Sequence, residues 1–318
     1  MAGGSNTPRR TPRPTTIEFL MPAPFASVII PCYKMGRYIG QALESVGNQL
    51  CVDWEIIIVD DCGPADGTRE AVAAFSARFP QHRVEFIRHE VNQGVSAARN
   101  TAIAAAKGTW LAFLDPDDYW LDQHLSNAAR LLTTRPEAGV VSSPVEILTE
   151  TEHGVELALW QVPPDWKEGL FPASLVYYNF IQPSATLVRK ELLDRVGGFD
   201  TSPALQHIED YDLWLRLIQI GSQFAFLPTA SCRYRRHAGG ATNNPKLMLQ
   251  LHQELAKKHA PYFIHMQSRL LHTHAYLLSE VKPGPILLRL LILDRFLSRS
   301  IKYLRNTAAR YFRHQGKT

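Results

Sequence analysis

The sequence Trp-Leu-Ala-Phe-Leu-Asp-Pro-Asp-Asp at positions 110–118 places three carboxylates directly after an apolar run. An earlier run at 55–59 leads in the same way into Asp60 and Asp61. Continuous apolar runs of this length are typical of buried parallel strands, and open α/β sheets bind ligands beyond the carboxyl ends of such strands. We therefore expect these carboxylates to face one crevice. Because clustered carboxylates repel each other, a hard divalent cation shared with substrate phosphates is their expected partner.

The surrounding sequence alternates between strand and helix patterns. We predict strands at 27–30, 55–59, 84–87 and 110–114, with helices at 38–49, 68–79 and 95–106 between them. This alternation predicts βαβ units, which form a mostly parallel sheet through right-handed crossovers. Further on, the patterns predict helices at 121–134 and 190–196, strands at 139–142 and 185–188, and a helix from Ile208. Residues 146–172 are expected to be irregular or weakly paired.

The composition is that of a globular protein. The chain has 318 residues, 45% of them hydrophobic and 20% charged, enough for one large domain or two modest ones. Its four cysteines show no CxxC spacing, which indicates free thiols in a reducing compartment and disfavours a structural zinc site. Residues 1–24 are predicted to be a disordered, Pro-rich leader without the apolar core of a signal peptide. Since no stretch reaches the length of a membrane span, we expect a cytoplasmic protein.

Positive charge is concentrated in the last part of the sequence. Residues 281–318 carry nine Lys or Arg and one acidic residue, a net charge of +8, whereas the other 280 residues sum to −4. Apolar residues recur there at spacings of three and four, which predicts an amphipathic helix. It packs on its own domain or on a second copy in a homodimer, or it binds an anionic membrane surface, such as the inner face of the plasma membrane. Binding to nucleic acid is not expected, because no reading motif accompanies the charge.

Seven short motifs follow one another between about 25 and 240. They are Ser-Val-Ile-Ile-Pro-Cys-Tyr at 27–33, Val-Asp-Asp at 59–61, Asn-Gln-Gly-Val-Ser-Ala-Ala-Arg-Asn at 92–100, Phe-Leu-Asp-Pro-Asp-Asp at 113–118, Gly-Gly-Phe-Asp at 197–200, Glu-Asp-Tyr-Asp-Leu-Trp-Leu-Arg at 209–216 and Tyr-Arg-Arg-His at 234–237. An acidic triplet alone is weak evidence, but seven pieces in order are strong. Together they resemble the inverting nucleotide-sugar transferases of glycosyltransferase family 2.

The resemblance implies a fold and a division of the chain. The expected fold is α/β of the GT-A type, a Rossmann-like, mostly parallel sheet flanked by helices, with a C-terminal helical extension. The GT-A domain is expected at 25–245, with a nucleotide-binding half at 25–135 and an acceptor-side half at 136–245. Residues 246–318 are expected to form the basic amphipathic extension. The implied activity is inverting, hexosyltransferase-type transfer from a nucleotide-sugar donor to a hydroxyl of a glycan or lipid-linked acceptor.

Donor-binding roles can be carried over from the family motifs. The resemblance assigns Asp117 to Mg²⁺ or Mn²⁺, and Asp115 to the same ion or to the ribose. Asp61 lies where the family contacts the base, and since a carboxylate only accepts hydrogen bonds, the N3–H of uracil or thymine is favoured, hence a UDP or dTDP donor. Tyr33 either stacks on that base or packs below the sheet. His237 is either a metal ligand or a structural residue. Further donor contacts are implied at Pro31, Arg99 and Arg236.

The reaction also needs a base, because a sugar hydroxyl is a weak nucleophile at neutral pH. The resemblance assigns this catalytic role to Asp210 and leaves Glu209 to orient the acceptor or the base. Acids at the start of a helix are also explained by the macrodipole alone. For Asp118, support of the metal loop and capping of the next helix are equally open interpretations.

Two other functions compete with this one. A phosphatase of the haloacid dehalogenase type also places Asp-x-Asp after a hydrophobic strand and uses the first Asp as nucleophile. Its usual Thr or Val two positions after the second Asp is Tyr119 here, which disfavours that class. A non-catalytic sugar-nucleotide-binding or membrane-surface scaffold is the other alternative, and the presence of Asp115, Asp117 and Asp210 argues against it.

Overall fold

The computed structural model describes residues 23–51, 53–151, 154–161, 175, 179–236 and 244–262. These residues fall into two compact units. One unit comprises residues 23–161 and 181–236, and the other comprises residues 175, 179–180 and 244–262. The predicted site residues that the structure describes belong to the first unit.

The first half of the larger unit alternates strand and helix as predicted. Its strands are β1 (Ala26–Cys32), β2 (Trp54–Asp60), β3 (Val84–Arg88) and β4 (Trp110–Phe113), parallel neighbours in the order β4-β1-β2-β3. The helices between them are α1 (Ile39–Gly47), α2 (Thr68–Arg78) and α3 (Val95–Ala105). Every residue of β1, β2 and β4 is buried, which explains why these strands have continuous apolar sequences.

The second half completes the main sheet and adds a smaller one. Its elements are β5 (Tyr119–Trp120), α4 (His124–Thr134), β6 (Ala138–Ser142), β7 (Val145–Thr151), β8 (Gly154–Trp160), β9 (Thr186–Arg189), α5 (Lys190–Val196), α6 (Glu209–Gln219), β10 (Gln223–Phe226) and β11 (Cys232–Arg236). The main sheet has the order β10-β6-β9-β4-β1-β2-β3, with β9 antiparallel to both neighbours. The second sheet has the order β5-β11-β7-β8. The main sheet is therefore mostly parallel, and the predicted fold class is confirmed.

Two predictions of local structure are wrong. Where residues 146–172 were expected to be irregular or weakly paired, the described part forms a regular hairpin, with β7 and β8 antiparallel from Val145 opposite Trp160 onwards. β8 is exposed at six of its seven positions, including the apolar Val155, Leu157 and Leu159. The helix predicted from Leu121 begins at His124 instead, and the N–H of Leu121 is bonded to the carbonyl of Ser231 at 3.0 Å.

Helix α3 positions the site, because it packs on β1 and β2. The side chains that it buries include the small Ala98 and Ala102, which allow the helix to lie close to the sheet. Its N-terminus, at Gly94, then lies beside the carboxyl end of β2, where Gly94 donates its N–H to Asp61 at 2.7 Å.

The second unit contains α7 (Pro245–Lys258). Asn244 caps this helix by accepting the N–H of Leu247 at 3.1 Å, and two lysines lie in its last turn. Of the predicted extension at 246–318, the basic segment 281–318 lies outside the described residues, as do residues 1–22 of the predicted leader. In the described parts of the chain, no helix has both the length and the apolar character needed to cross a membrane.

Candidate active site

The acidic loop at 114–118 begins where β4 ends. Leu114 donates its N–H to the carbonyl of Ile29 at 3.0 Å, so the backbone still follows β1 at this point. Asp115 then donates its N–H to Ser184 Oγ at 3.0 Å, and Asp118 closes a turn by donating to the Asp115 carbonyl at 3.0 Å. The loop therefore lies beyond the carboxyl ends of β1 and β4, where ligands of such sheets bind.

Asp118 is a buried acid that holds this loop in place. Its Oδ2 accepts a hydrogen bond from Ser184 Oγ at 2.5 Å, and its Oδ1 accepts one from the N–H of Arg235 at 2.8 Å. Burial, reinforced by the charges of the neighbouring aspartates, raises the pKa of the Asp118 carboxyl well above its usual value. The N-cap of α4 is Gln123, so the contacts of Asp118 are those of a loop support and not of a helix cap.

Arg235, on β11, supports the same loop through its side chain. The residue is 8% exposed, and its Nε donates to the carbonyl of Asp117 at 3.0 Å. Its Nη atoms donate to Gln41 on α1 at 2.6 Å and to Glu150 on β7. The guanidinium thus fixes the backbone of Asp117 against three other elements.

Arg99, on α3, joins two carboxylates from distant parts of the sequence. Its Nη2 donates to Asp115 Oδ1 and its Nη1 donates to Glu209 Oε1, each at 2.7 Å. Arg99 is 3% exposed and Glu209 is 6% exposed, so water screens these charges little. The acidic loop after β4 and the acidic start of α6 therefore meet at one guanidinium.

Asp61 lies after β2, and its carboxylate is enclosed by the loop that precedes α3. Oδ1 accepts hydrogen bonds from His89 Nδ1 at 2.7 Å and from the N–H of Gln93 at 2.8 Å, while Oδ2 accepts the N–H of Gly94. Gly94 has a φ of 90°, a conformation that favours glycine. Each carboxylate oxygen can accept two hydrogen bonds, so one acceptor direction remains on Oδ2.

The two predicted donor contacts at the end of β1 differ in exposure. Pro31 is buried within β1, opposite Val59 of β2. Tyr33 follows the strand and is 40% exposed, with Lys34 Nζ 5.0 Å from the centroid of its ring. The Tyr33 ring is therefore accessible to a ligand.

The remaining predicted site residues lie on the loop and on the elements beside it. Asp115, Asp117 and Asp210 are half-buried, and Arg236 is exposed at the end of β11. In the part of the chain that the structure describes, no three His, Cys, Asp or Glu side chains are placed to hold a metal ion. His237 lies outside the described residues. The roles assigned to all these residues stay predictions.

Sequence reasoning missed two residues that support the site. His89 lies between Asp61 and α3, with its Nε2 2.9 Å from Thr101 Oγ1. Ser184 lies between Asp115 and Asp118, as described above. Both residues stand outside the seven motifs, and each is brought to the site by a contact distant in sequence, so no local signal could have found them.

Comparison with known proteins places the chain among glycosyltransferases. Residues 27–197 match the family described as Glycosyl transferase family 2. The chain is 30% identical over 218 residues to the Escherichia coli UDP-Glc:alpha-D-GlcNAc-diphosphoundecaprenol beta-1,3-glucosyltransferase WfaP, covering 69% of this chain and 80% of that protein. It is 32% identical over 217 residues to the uncharacterized protein Rv1520 of Mycobacterium tuberculosis, covering 67% of this chain and 59% of that protein. The chain thus spans less than two thirds of that relative's length.

Solved structures share the fold. The S. aureus protein TarS 1–349 in complex with UDP matches with a TM-score of 0.56 at 22% identity, over 73% of this chain and 64% of that chain. The mannosyltransferase PcManGT from Pyrobaculum calidifontis, in complex with GDP-Man and Mn²⁺, matches with a TM-score of 0.54 at 21% identity, over 87% of this chain and 81% of that chain. These likenesses confirm the GT-A fold.

Proposed function

Because the chain belongs to glycosyltransferase family 2, we propose that it moves a sugar from a UDP- or dTDP-sugar to a hydroxyl of a glycan or lipid-linked acceptor, with inversion at the anomeric carbon. The observation that carries this proposal is the pair of 2.7 Å contacts from Arg99 to Asp115 and Glu209. It supports one site in which the acids after β4 and the acids at the start of α6 act on the same substrates.

In this proposal Asp117 and Asp115 hold a divalent cation, Mg²⁺ or Mn²⁺. Both are half-buried carboxylates at a strand end, and hard cations take oxygen ligands. The described residues offer no set of three protein ligands, which suits an ion that one or two carboxylates share with substrate phosphates. The Mn²⁺ in the PcManGT complex is consistent with this choice. When bound, the cation would offset the negative charge that builds on the departing diphosphate.

Asp61 would select the base of the donor, with Tyr33 beside it. A carboxylate only accepts hydrogen bonds, so Asp61 would favour a ring N–H such as N3–H of uracil or thymine, whereas adenine and cytosine present bare nitrogens there. The UDP in the TarS complex and the UDP-Glc in the name of WfaP support this donor class. PcManGT was solved with GDP-Man, and guanine also presents a ring N–H, so GDP-sugars belong in any test of donor choice.

Asp210 would act as the general base of a single displacement. The acceptor oxygen bonds to the anomeric carbon as the bond from that carbon to the diphosphate oxygen breaks. The hydroxyl proton passes to the Asp210 carboxylate, and the nucleoside diphosphate leaves. Attack from the face opposite the leaving group inverts the anomeric centre. The position of Asp210 next to Glu209, which Arg99 ties to Asp115, supports this assignment.

A lipid-linked acceptor would bring the enzyme to the cytoplasmic surface of a membrane. The name of WfaP includes a diphosphoundecaprenol-linked sugar, and residues 281–318 carry a net charge of +8 that would attract anionic lipids. Deletion of residues 281–318 should then release the protein from anionic vesicles. If the shortened protein still sediments with the vesicles, this role is wrong, and a change in its oligomeric state would point to a homodimer contact instead.

The proposed activity is tested by a screen of UDP-, dTDP- and GDP-sugars for hydrolysis and for thermal stabilisation, with and without Mn²⁺. We expect stabilisation by UDP- or dTDP-sugars that requires Mn²⁺ and is lost in Asp117→Ala. Equal binding with and without Mn²⁺ would remove the metal assignment. A wild-type protein that neither binds nor hydrolyses any of these donors would contradict the transferase itself.

A further inference from the structure

Arg99 is enclosed by the protein, which limits what it can offer to a ligand. Both of its Nη atoms are committed to carboxylates, on Asp115 and Glu209. Each Nη atom carries a second N–H besides the one in these contacts, and Nε is buried with no hydrogen-bond partner among the described residues. Because 3% of the residue is exposed, Arg99 has almost no surface that a nucleotide could contact.

The Gly-Gly-Phe-Asp turn encloses the guanidinium from a second side. The ring of Phe199 lies against Arg99, with the guanidinium carbon 5.1 Å from the ring centroid. Asn100, the next residue on α3, donates to the carbonyl of Phe199 and accepts its N–H, both at 2.8 Å. Gly198 has a φ of 71°, and a Cβ there would lie 2.5 Å from Asn100 Oδ1. The turn is therefore locked onto α3 and restricts the orientation of the Arg99 side chain.

We propose that Arg99 is a positioning residue that sets the separation between the metal-binding loop and the helix that carries the base. This inference rests on the proposed function. Asp115 stands two residues before Asp117, so the contact with Asp115 holds the acidic loop. Glu209 directly precedes Asp210, so the contact with Glu209 holds the start of α6. A planar guanidinium holds two carboxylates in a fixed relation, whereas the ammonium group of lysine is a single point of charge.

Such a role predicts a specific kinetic effect. A displacement of about 1 Å between reacting groups can lower a rate by about 10²-fold. Binding of the donor to the metal loop alone does not depend on the separation between the loop and α6. Loss of Arg99 should therefore lower kcat far more than it weakens binding of UDP.

The experiment compares Arg99→Met and Arg99→Lys with Arg216→Met as a matched control. Arg216, on α6, also has a largely buried carboxylate partner, with its Nε 2.7 Å from Asp212 Oδ2, and it donates to the carbonyl of Val196 at 2.8 Å. Its loss should lower the Tm in a similar way without touching the contact between the two halves of the site. The measurements are the Kd for UDP with Mn²⁺, the kcat for release of UDP from UDP-Glc or UDP-GlcNAc, whichever is hydrolysed faster, and the Tm.

We expect Arg99→Met to lower kcat about 10²-fold while the Kd for UDP changes less than about threefold. Arg99→Lys should recover much of the Tm but little of kcat, and Arg216→Met should keep kcat within about threefold of the wild type. If Arg99→Met weakens UDP binding and leaves kcat intact, Arg99 is a donor contact and the inference is wrong. Equal kcat values for Arg99→Met and Arg216→Met would show that Arg99 contributes only to stability, and the inference would be wrong.

A double variant distinguishes a loss of stability from a displacement of the acidic loop relative to α6. Arg99→Met leaves two carboxylates without their partner, so the double variant Arg99→Met with Glu209→Gln removes one of the unpaired charges. It should regain stability and stay slower than Glu209→Gln alone, and a kcat equal to that of Glu209→Gln together with a restored Tm would contradict the positioning role. Failure of the proposed function is seen separately, as absence of donor hydrolysis in the wild-type protein.

Discussion

Replacing Arg235 by methionine should lower the free energy of unfolding of the larger unit and release the backbone of the acidic loop at 114–118 from β11. The substitution keeps an apolar stem but removes the donors to Asp117, Gln41 and Glu150. The hydrogen bond from the charged guanidinium to the Asp117 carbonyl contributes about 1.5–3 kcal/mol. The Glu150 side chain is 48% exposed, so that ion pair contributes at most about 1 kcal/mol. Loss of the contacts with the rings of Tyr38 and Tyr119, 5.2 and 5.9 Å away, adds about 0.5–1 kcal/mol.

The free energy of unfolding of Arg235→Met should therefore fall by about 3 kcal/mol, as measured by urea denaturation. The control is Arg233→Met on the same strand. Arg233 pairs with Glu146 at 2.7 Å with both side chains about 30% exposed, and it lies 5.6 Å from the centroid of the Tyr119 ring, so its loss should cost about 1.5 kcal/mol or less. Since Arg235 holds the backbone of Asp117, the affinity for UDP with Mn²⁺ should also fall at least about tenfold, or about 1.4 kcal/mol, in Arg235→Met alone. Equal losses of stability and affinity in the two variants would refute this reasoning.

Two further predictions concern other parts of the larger unit. Gly198→Ala should lower the free energy of unfolding by about 2 kcal/mol, because residue 198 has a positive φ. The control is Gly40→Ala, at a position of α1 where a Cβ meets no neighbouring atom, which should not be destabilising. Equal effects of the two substitutions in urea denaturation would contradict this prediction. Burial lowers the pKa of His124 to about 3 from an ordinary 6.5. As the pH falls below 6.5, the unfolded state therefore takes up a proton on this imidazole while the folded state stays neutral. This uptake favours the unfolded state, so the free energy of unfolding decreases. Between pH 7 and pH 5 the free energy of unfolding should drop by about 2 kcal/mol through this group, a drop that His124→Gln removes and the exposed His207→Asn retains.

The strands that position the site were predictable because they are buried on both faces. β2 and β4 contain only buried residues, and a continuous apolar run that ends in acids can be recognised without any knowledge of the fold. β11 was not predicted as a strand, because its sequence Cys-Arg-Tyr-Arg-Arg looks like an exposed basic segment. The charge on Arg235 is tolerated at 8% exposure only because Glu150 and the carbonyl of Asp117 face it.

The acids of the site were predictable as a set, but their individual contacts were not. Clustering at strand ends made Asp61, Asp115 and Asp117 candidate site residues, and the structure places them after β2 and β4 as predicted. Asp61 and His89 are 28 positions apart, and they meet because the chain between them forms α2 and returns along β3 beside β2. The Arg99 contact with Glu209 spans 110 residues, and no local pattern reports a partner at that distance.

Together these contacts describe a site in two layers. In the proposed site, the half-buried carboxylates of Asp115, Asp117 and Asp210 would face the substrates and a cation. Beneath them, buried basic side chains hold the loop and the helix in place, with Arg235 on the Asp117 backbone and Arg99 between Asp115 and Glu209. Positive charge behind the acids limits their mutual repulsion, which allows several carboxylates to share one crevice.

The most direct test of the whole account is the rate of sugar transfer by Asp210→Asn, measured beside its binding of UDP with Mn²⁺. Because the amide cannot accept the hydroxyl proton, we expect kcat to fall about 10²–10⁴-fold while the Kd for UDP stays close to that of the wild type. Asp194→Asn, at an exposed position of α5, should leave both values unchanged. Full turnover by Asp210→Asn would show that the base is not at the start of α6, and the single site proposed here would be contradicted.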